Sequence, residues 1–300
     1  MFSNPVILCP IDLSEHAHLV VQHAGAVAEH FAARLVVVSV RTADGPGTSA
    51  IESLVWDVLP RSRAARIECV SLTTSVTTAS AILGLSRERW PDLIVIGGHG
   101  LNGFGRHALG STIEGVLRET DVPTLVVPRL AGQMRSVREL RDVGSVLAPT
   151  DFSELSRRDV RVAAGLAAAI GVPLLLLHVL PKVSGFHDSE QRWELRAARA
   201  RASLDAMRRG LHGVQVELMV RLGRPGDEIA RMAAQRHAGL MVMGLRGMGG
   251  VEGERPGSIA CRVLCLSPTL LLTIPPSLQR TALPGGDLGT RRQLVTTDSV

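Results

Sequence analysis

Along most of this chain, short runs of consecutive apolar residues alternate with longer stretches whose apolar positions recur every three or four residues. The runs in the first half predict strands near 5–10, 34–40, 66–71, 93–97 and 124–128. Near-continuous Val, Ile and Leu in a strand mean burial on both faces, which is the signature of a parallel sheet covered by helices. The stretch SEHAHLVVQHAGAVAEHFA at 14–32 predicts the first of those helices.

The pattern then repeats. PVILCPIDLSEHA at 5–17 is matched by SVLAPTDFSELS at 145–156, which sets Asp12 against Asp151 and Ser14 against Ser153. LVVVSV at 35–40 pairs with LLLLHV at 174–179, and DLIVIGGHG with GLMVMGLRG, so Gly97 faces Gly244 and Gly100 faces Gly247. A duplication of this kind predicts two α/β units at residues 1–129 and 144–276, a connector at 130–143, and a disordered polar tail at 277–300. In the second half, Ser153 is placed to cap a helix that ends at Gly171 and Pro173. DSEQRWELRAARARASLDAMRRGLHG reads as a long helix, whereas Pro60 limits its counterpart in the first half.

Five strands with helices on both sides make each unit an open, doubly wound parallel sheet of Rossmann-like or flavodoxin-like type. Ligands of such sheets sit outside the carboxyl ends of the strands, where the strand order reverses. Asp12 and Asp151 end the first strands and the glycine-rich stretches follow the fourth, so chain order alone brings aspartate and glycine loop toward one crevice per unit.

Composition narrows the partners. The net charge is +5, but the arginines are interrupted by Glu and Asp, and aromatics are only 3%, too few for a base-stacking platform. Nucleic acid is therefore not an expected partner. No apolar run is long enough for a membrane span and the amino terminus lacks signal-peptide character, so the expectation is a cytoplasmic protein with no membrane partner. The four cysteines lack metal-type spacing and read as reduced thiols; Cys261 and Cys265 share a helix face without further ligands nearby. His16, His23 and His30 recur every seven residues, about 10 Å apart on a helix. That is too far for one metal ion, and the expectation is solvated or groove-facing side chains.

The glycine stretch GGHGLNGFGRHALGST at 97–112 carries the candidate chemistry. A Walker A loop is excluded because it needs a lysine, and Lys182 is the only one in the chain. A dinucleotide fingerprint belongs after the first strand of its unit, not the fourth. What both halves share is a spacing: Gly97, Gly100, Gly110 and Ser111 in one, Gly244, Gly247, Gly257 and Ser258 in the other. Glycine and serine at the start of the helix STIEGVLRET would offer unpaired N–H groups, a hydroxyl and the helix dipole to an anion.

This spacing, with the openings PIDLS and PTDFS, resembles the universal stress protein family in its tandem form, over roughly 4–129 and 144–275. The resemblance implies ATP or a related adenine nucleotide as ligand, with or without Mg²⁺. Asp12 and Ile11 would edge the adenine pocket and Val40 would line its wall, with Asp151, Thr150 and Val179 as equivalents. Helix or turn capping is the other role open to Asp12 and Asp151. In the first loop Arg106 and His107 suit a triphosphate; in the second, Glu252, Glu254 and Pro256 oppose one, with Arg246 and Arg255 as a partial offset. The first crevice is accordingly favoured. The resemblance also implies that TLVVP and LLLTIP, the fifth strands, pair across a pseudo-twofold axis, that a homodimer forms, and that nucleotide binding changes order in the 98–110 loop as part of a stress-response module with an unidentified protein partner. A stress interaction protein without nucleotide and a slow Mg²⁺-dependent ATPase are the alternatives, and no catalytic residue stands out for the second.

Overall fold

Branched side chains favour the pleated, two-sided burial of a central strand. In the computed structural model of the protein, which describes residues 5–41, 47–98, 109–129, 144–181, 190–245 and 257–277, each apolar run forms one. The first half runs β1 (Val6–Ile11), α1 (Glu15–His30), β2 (Arg34–Arg41), α2 (Thr48–Val58), β3 (Ile67–Thr73), α3 (Thr78–Arg89), β4 (Leu93–Gly97), α4 (Ser111–Glu119) and β5 (Thr124–Val127). The second runs β6 (Ser145–Pro149), α5 (Glu154–Ile170), β7 (Leu174–Leu180), α6 (Glu190–Arg209), β8 (Val216–Leu222), α7 (Pro225–Gln235), β9 (Ala238–Gly244), α8 (Ser258–Leu266) and β10 (Leu270–Ile274). The connector at 130–143 and the tail beyond Ser277 lie outside the described residues.

The strands form one ten-stranded sheet in the order β3-β2-β1-β4-β5-β10-β9-β6-β7-β8. Neighbours within each half are parallel. The halves meet at the antiparallel pair β5–β10, with Leu271 opposite Val126 and Thr273 opposite Thr124. There the Thr273 hydroxyl donates to the Thr124 carbonyl at 3.1 Å, both residues being buried. The fifth strands thus join within one chain.

Successive strand residues point to opposite faces, and β1 divides accordingly. Ile7, Cys9 and Ile11 pack with α1, α2, α5 and α6 on one face, whereas Leu8 packs with α3, α4, α7 and α8 on the other. Helix ends follow their local chemistry. The Ser153 hydroxyl caps α5 by accepting the Ser156 N–H at 3.1 Å, and Gly171 ends it at φ +82°, a left-handed conformation that glycine adopts without Cβ strain. α2 stops at Val58, ahead of Pro60 and a 3₁₀ segment over Arg61–Arg66, while α6 runs to 20 residues.

Candidate functional site

Because α1 leaves β1 toward one face and α4 leaves β4 toward the other, a crevice opens between the ends of these adjacent strands. β6 and β9 repeat it in the second half.

On the first wall, Ile11 ends β1 and is buried. Asp12 follows, and its Oδ1 accepts the Ser14 N–H at 3.1 Å and the Ser14 hydroxyl at 2.6 Å. This closed turn holds Leu13 at φ 58°. Asp151 Oδ1 does the same for the Ser153 N–H at 3.0 Å, with Phe152 at φ 67°. The turn-forming role of both aspartates is therefore real, and it fixes each carboxylate at the crevice mouth. Val40, near the end of β2, is half-buried, whereas its equivalent Val179 is buried.

Thr150, in the place of Ile11, is buried and its hydroxyl is committed. Thr150 Oγ1 accepts the Phe152 N–H at 3.0 Å and lies 2.9 Å from Ser156 Oγ. The Thr150 carbonyl in turn pairs with His178 Nδ1 at 2.7 Å, and the His178 ring lies 4.3 Å from that of Phe152. Neither His178 nor Ser156 figures in the glycine spacing, and nothing in the order of residues links 152 to 178.

The second wall holds the glycines. Gly97 ends β4 and Gly244 ends β9; Gly100 and Gly247, with the loop residues Arg106, His107, Arg246, Glu252, Glu254, Arg255 and Pro256, lie outside the described residues. The space a Cβ on Gly97 would take is not open to the crevice. It would lie 3.0 Å from His16 Cδ2 and 3.2 Å from Val20 Cγ2, so α1 occupies it. In the second half the residue equivalent to Val20 is Asp159, buried on α5. Its carboxylate accepts the Gly244 N–H and pairs with Arg158 at 2.9 Å. Burial raises the Asp159 carboxyl above the usual range, against the opposing pull of Arg158.

Gly110 and Gly257 are the N-caps of α4 and α8, at φ −64° and −54°, and lack a side chain to cover the first-turn amides. Ser111 and Ser258 stand exposed at the first helical positions. Four amides at a helix start have no intrahelical acceptor, and with the dipole they make an anion site. Glu114 lies in the first turn of α4; α8 has no acid in that turn.

Of the histidine ladder, only His23 departs from the expected solvated or groove-facing character. His23 is buried at 1% exposure, with Nδ1 2.8 Å from the Leu19 carbonyl, and half-buried His16 places Nε2 3.0 Å from the Val127 carbonyl. Only His30 is exposed, its ring edge-on to Phe31. A groove of about 540 Å³ beside α1 is lined by residues including His16, His18, Gln22 and Arg129, but by none of Ile11, Asp12, Val40, Gly97, Gly110 or Ser111. Among the described residues there is no group of three or more metal-ligating side chains, and no helix is long and apolar enough to cross a membrane.

The geometry defines a duplicated, doubly wound α/β protein with a crevice at the switch point of each half. The chain belongs to the universal stress protein family, whose model matches residues 4–128 and 143–275. A universal stress protein of Mycolicibacterium smegmatis is 29% identical over 188 residues, 61% of this chain and 62% of that protein, so the match spans under two thirds of that relative. A second relative, described as a universal stress protein in the QAH/OAS sulfhydrylase 3' region of Thermus aquaticus, is 33% identical over 43% of this chain and 97% of its own length. Among solved structures, a functionally unknown protein of Pseudomonas aeruginosa PAO1 shares the fold at TM-score 0.68 and 17% identity, over 92% of this chain and 94% of that one. A universal stress protein solved in complex with cAMP resembles 44% of this chain, and 96% of its own, at 25% identity and TM-score 0.36.

Proposed function

We propose that the protein binds an adenine nucleotide, with ATP as the first candidate, in the crevice between β1 and β4, and serves as a stress-response regulatory module. The observation that carries this reading is the repeated placement of an aspartate turn and a glycine-capped helix start after two adjacent parallel strands. Asp12 follows β1 while Gly110 and Ser111 open α4 after β4, and Asp151 follows β6 while Gly257 and Ser258 open α8 after β9. Ile11 and Val40 would bound the base, and the α4 amides with the Ser111 hydroxyl would receive phosphate. Mg²⁺, if required, would arrive on the phosphates. The first crevice is preferred because Val40 is half-buried and available to a base, whereas Val179 is buried and the Thr150 hydroxyl is already engaged. Gly244, Gly247, Gly257 and Ser258 would form the weaker second site. Cytoplasmic residence, a homodimer and a protein partner belong to the same proposal and rest on family membership.

The test is equilibrium binding of radiolabelled ATP at low salt to the full chain and to Gly110→Val/Ser111→Ala. Gly110 has φ −64° and ψ 143°, which valine adopts freely, so this variant blocks the cradle without backbone strain. Saturable binding lost in the variant supports the reading. Undiminished affinity in a folded variant removes phosphate from the α4 start, and no binding by either protein favours a nucleotide-independent interaction protein.

A further inference from the structure

α8 buries Ala260, Val263 and Leu264 in the core and leaves Cys261 and Cys265 half-exposed beside that stripe. Neither is in a disulfide. Four residues apart, they are neighbours on one helix face. The two thiols are close enough for the charge of one to oppose ionisation of the other. The equivalent positions on α4 hold Glu114 and Arg118, so the thiol pair belongs to the second half alone. Glu114 itself lies close enough to act on Cys261 electrostatically, which places the pair beside α4, near the junction of the halves.

The spacing decides what the pair can bind. Side chains at i and i+4 on a helix have Cβ atoms about 5–6 Å apart, whereas a disulfide needs about 3.5–4.5 Å. Direct oxidation to one S–S bond therefore requires the helix to distort, and a larger atom between the sulfurs does not. Zinc in a structural site takes four ligands, and among the described residues no third or fourth is grouped with the pair. Soft centres that accept two thiolates remain.

We propose that Cys261 and Cys265 form a bidentate dithiol site for a thiophilic centre with two sulfur positions, such as trivalent arsenic. With an organoarsenic(III) oxide, two S–H bonds and the As–O bond break, two As–S bonds form, and the oxygen leaves as water carrying both thiol protons. Arsenic stays trivalent and no oxidant is needed.

The probe is phenylarsine oxide, titrated into the reduced, full-length protein. One arsenical bound per chain should remove two titratable thiols and be released by 2,3-dimercaptopropanol. Trypsin cuts at Arg262, between the two cysteines, so mass spectrometry should find their two peptides joined by one arsenic. Cys261→Ser and Cys265→Ser should each weaken binding roughly 100-fold or more, the usual advantage of two linked contacts over one. Cys69→Ser should change nothing. Tight binding retained in either serine variant, arsenic on other peptides, or no bridged pair in the wild-type protein overturns the proposal. The wild-type peptide result decides even where a variant fails to fold. An intrahelical disulfide formed readily by diamide would overturn the spacing argument.

Discussion

His16 on α1 fills the space that a side chain at Gly97 would need, its Cδ2 3.0 Å from the ideal Cβ position. The glycine at the end of β4 is thus explained first by helix packing, and the ligand reading of Gly97 must be separated from it. Gly97→Ala should destabilise the protein by about 1–3 kcal/mol, as overpacking of a closed contact does. Combining it with His16→Ala should recover part of that loss, because Val20 Cγ2, at 3.2 Å, is then the remaining obstacle. Urea denaturation of the four proteins in the cycle measures the coupling, and strictly additive losses would show that the contact does not set the identity of residue 97.

The second half answers the same position with charge. Asp159 is 2% exposed, its neighbour Arg158 is mostly buried, and Arg158 Nη1 also donates to the Pro276 carbonyl at 2.9 Å. Arg158→Met leaves the carboxylate without its cation and should cost about 3–5 kcal/mol, the usual penalty for breaking a buried pair from one side. Asp159→Asn probes the linkage. A carboxyl whose folded pKa lies above its unfolded value of 3.8 contributes stability that is full below 3.8 and lost as pH rises through the folded value. The stability of the wild type relative to Asp159→Asn, read from urea midpoints, should therefore fall as pH rises above 3.8. A constant difference would contradict the raised pKa.

The strands, the duplication and the placement of Asp12 and Asp151 were legible because each rests on local pattern: apolar runs, a repeated PxD-x-S opening, and chain order that puts both at strand ends. What was not legible depends on which way a side chain faces after the helices dock. That α1 packs His16 and Val20 against the Cβ side of Gly97 depends on how the helix docks, which the glycine spacing does not encode. His23 shares its seven-residue spacing with His16 and His30, yet sits mid-helix on the core side, where the Leu19 carbonyl one turn earlier satisfies it. The stack of Phe152 on His178 joins the turn after β6 to the neighbouring strand β7, a contact no spacing encodes.

His16 and His23 give a second pH dependence, of opposite sign. Burial is the largest cause in both and lowers their pKa values below 6.5. The unfolded chain therefore binds more protons than the folded one as pH drops below the ordinary value. Their contribution to stability is present above pH 6.5 and lost as pH falls through the folded values. The stability of the wild type relative to His23→Gln, read from urea midpoints, should fall as pH drops below 6.5. An unchanged slope in His23→Gln would mean that the buried imidazole is not among the groups responsible.

Glu114 offers a control on the electrostatics of α8 that needs no ligand. Burial raises the Cys261 thiol most, the Glu114 carboxylate next, and Cys265 after that. Glu114→Gln removes the second cause, so the Cys261 pKa should fall and its thiolate fraction at pH 8 should rise. Since the thiolate is the reacting species, iodoacetamide should alkylate Cys261 faster in the variant than in the wild type. Tryptic peptides separate Cys261 from Cys265 at Arg262, so both rates come from one experiment. Cys69, which burial and the nearby Glu52 and Glu68 push up to about 11, lies outside this pairing and serves as the internal reference. If Cys261 and Cys69 keep their wild-type ratio of rates in Glu114→Gln, the carboxylate on α4 does not reach the thiol on α8, and the placement of the dithiol pair beside α4 loses its support.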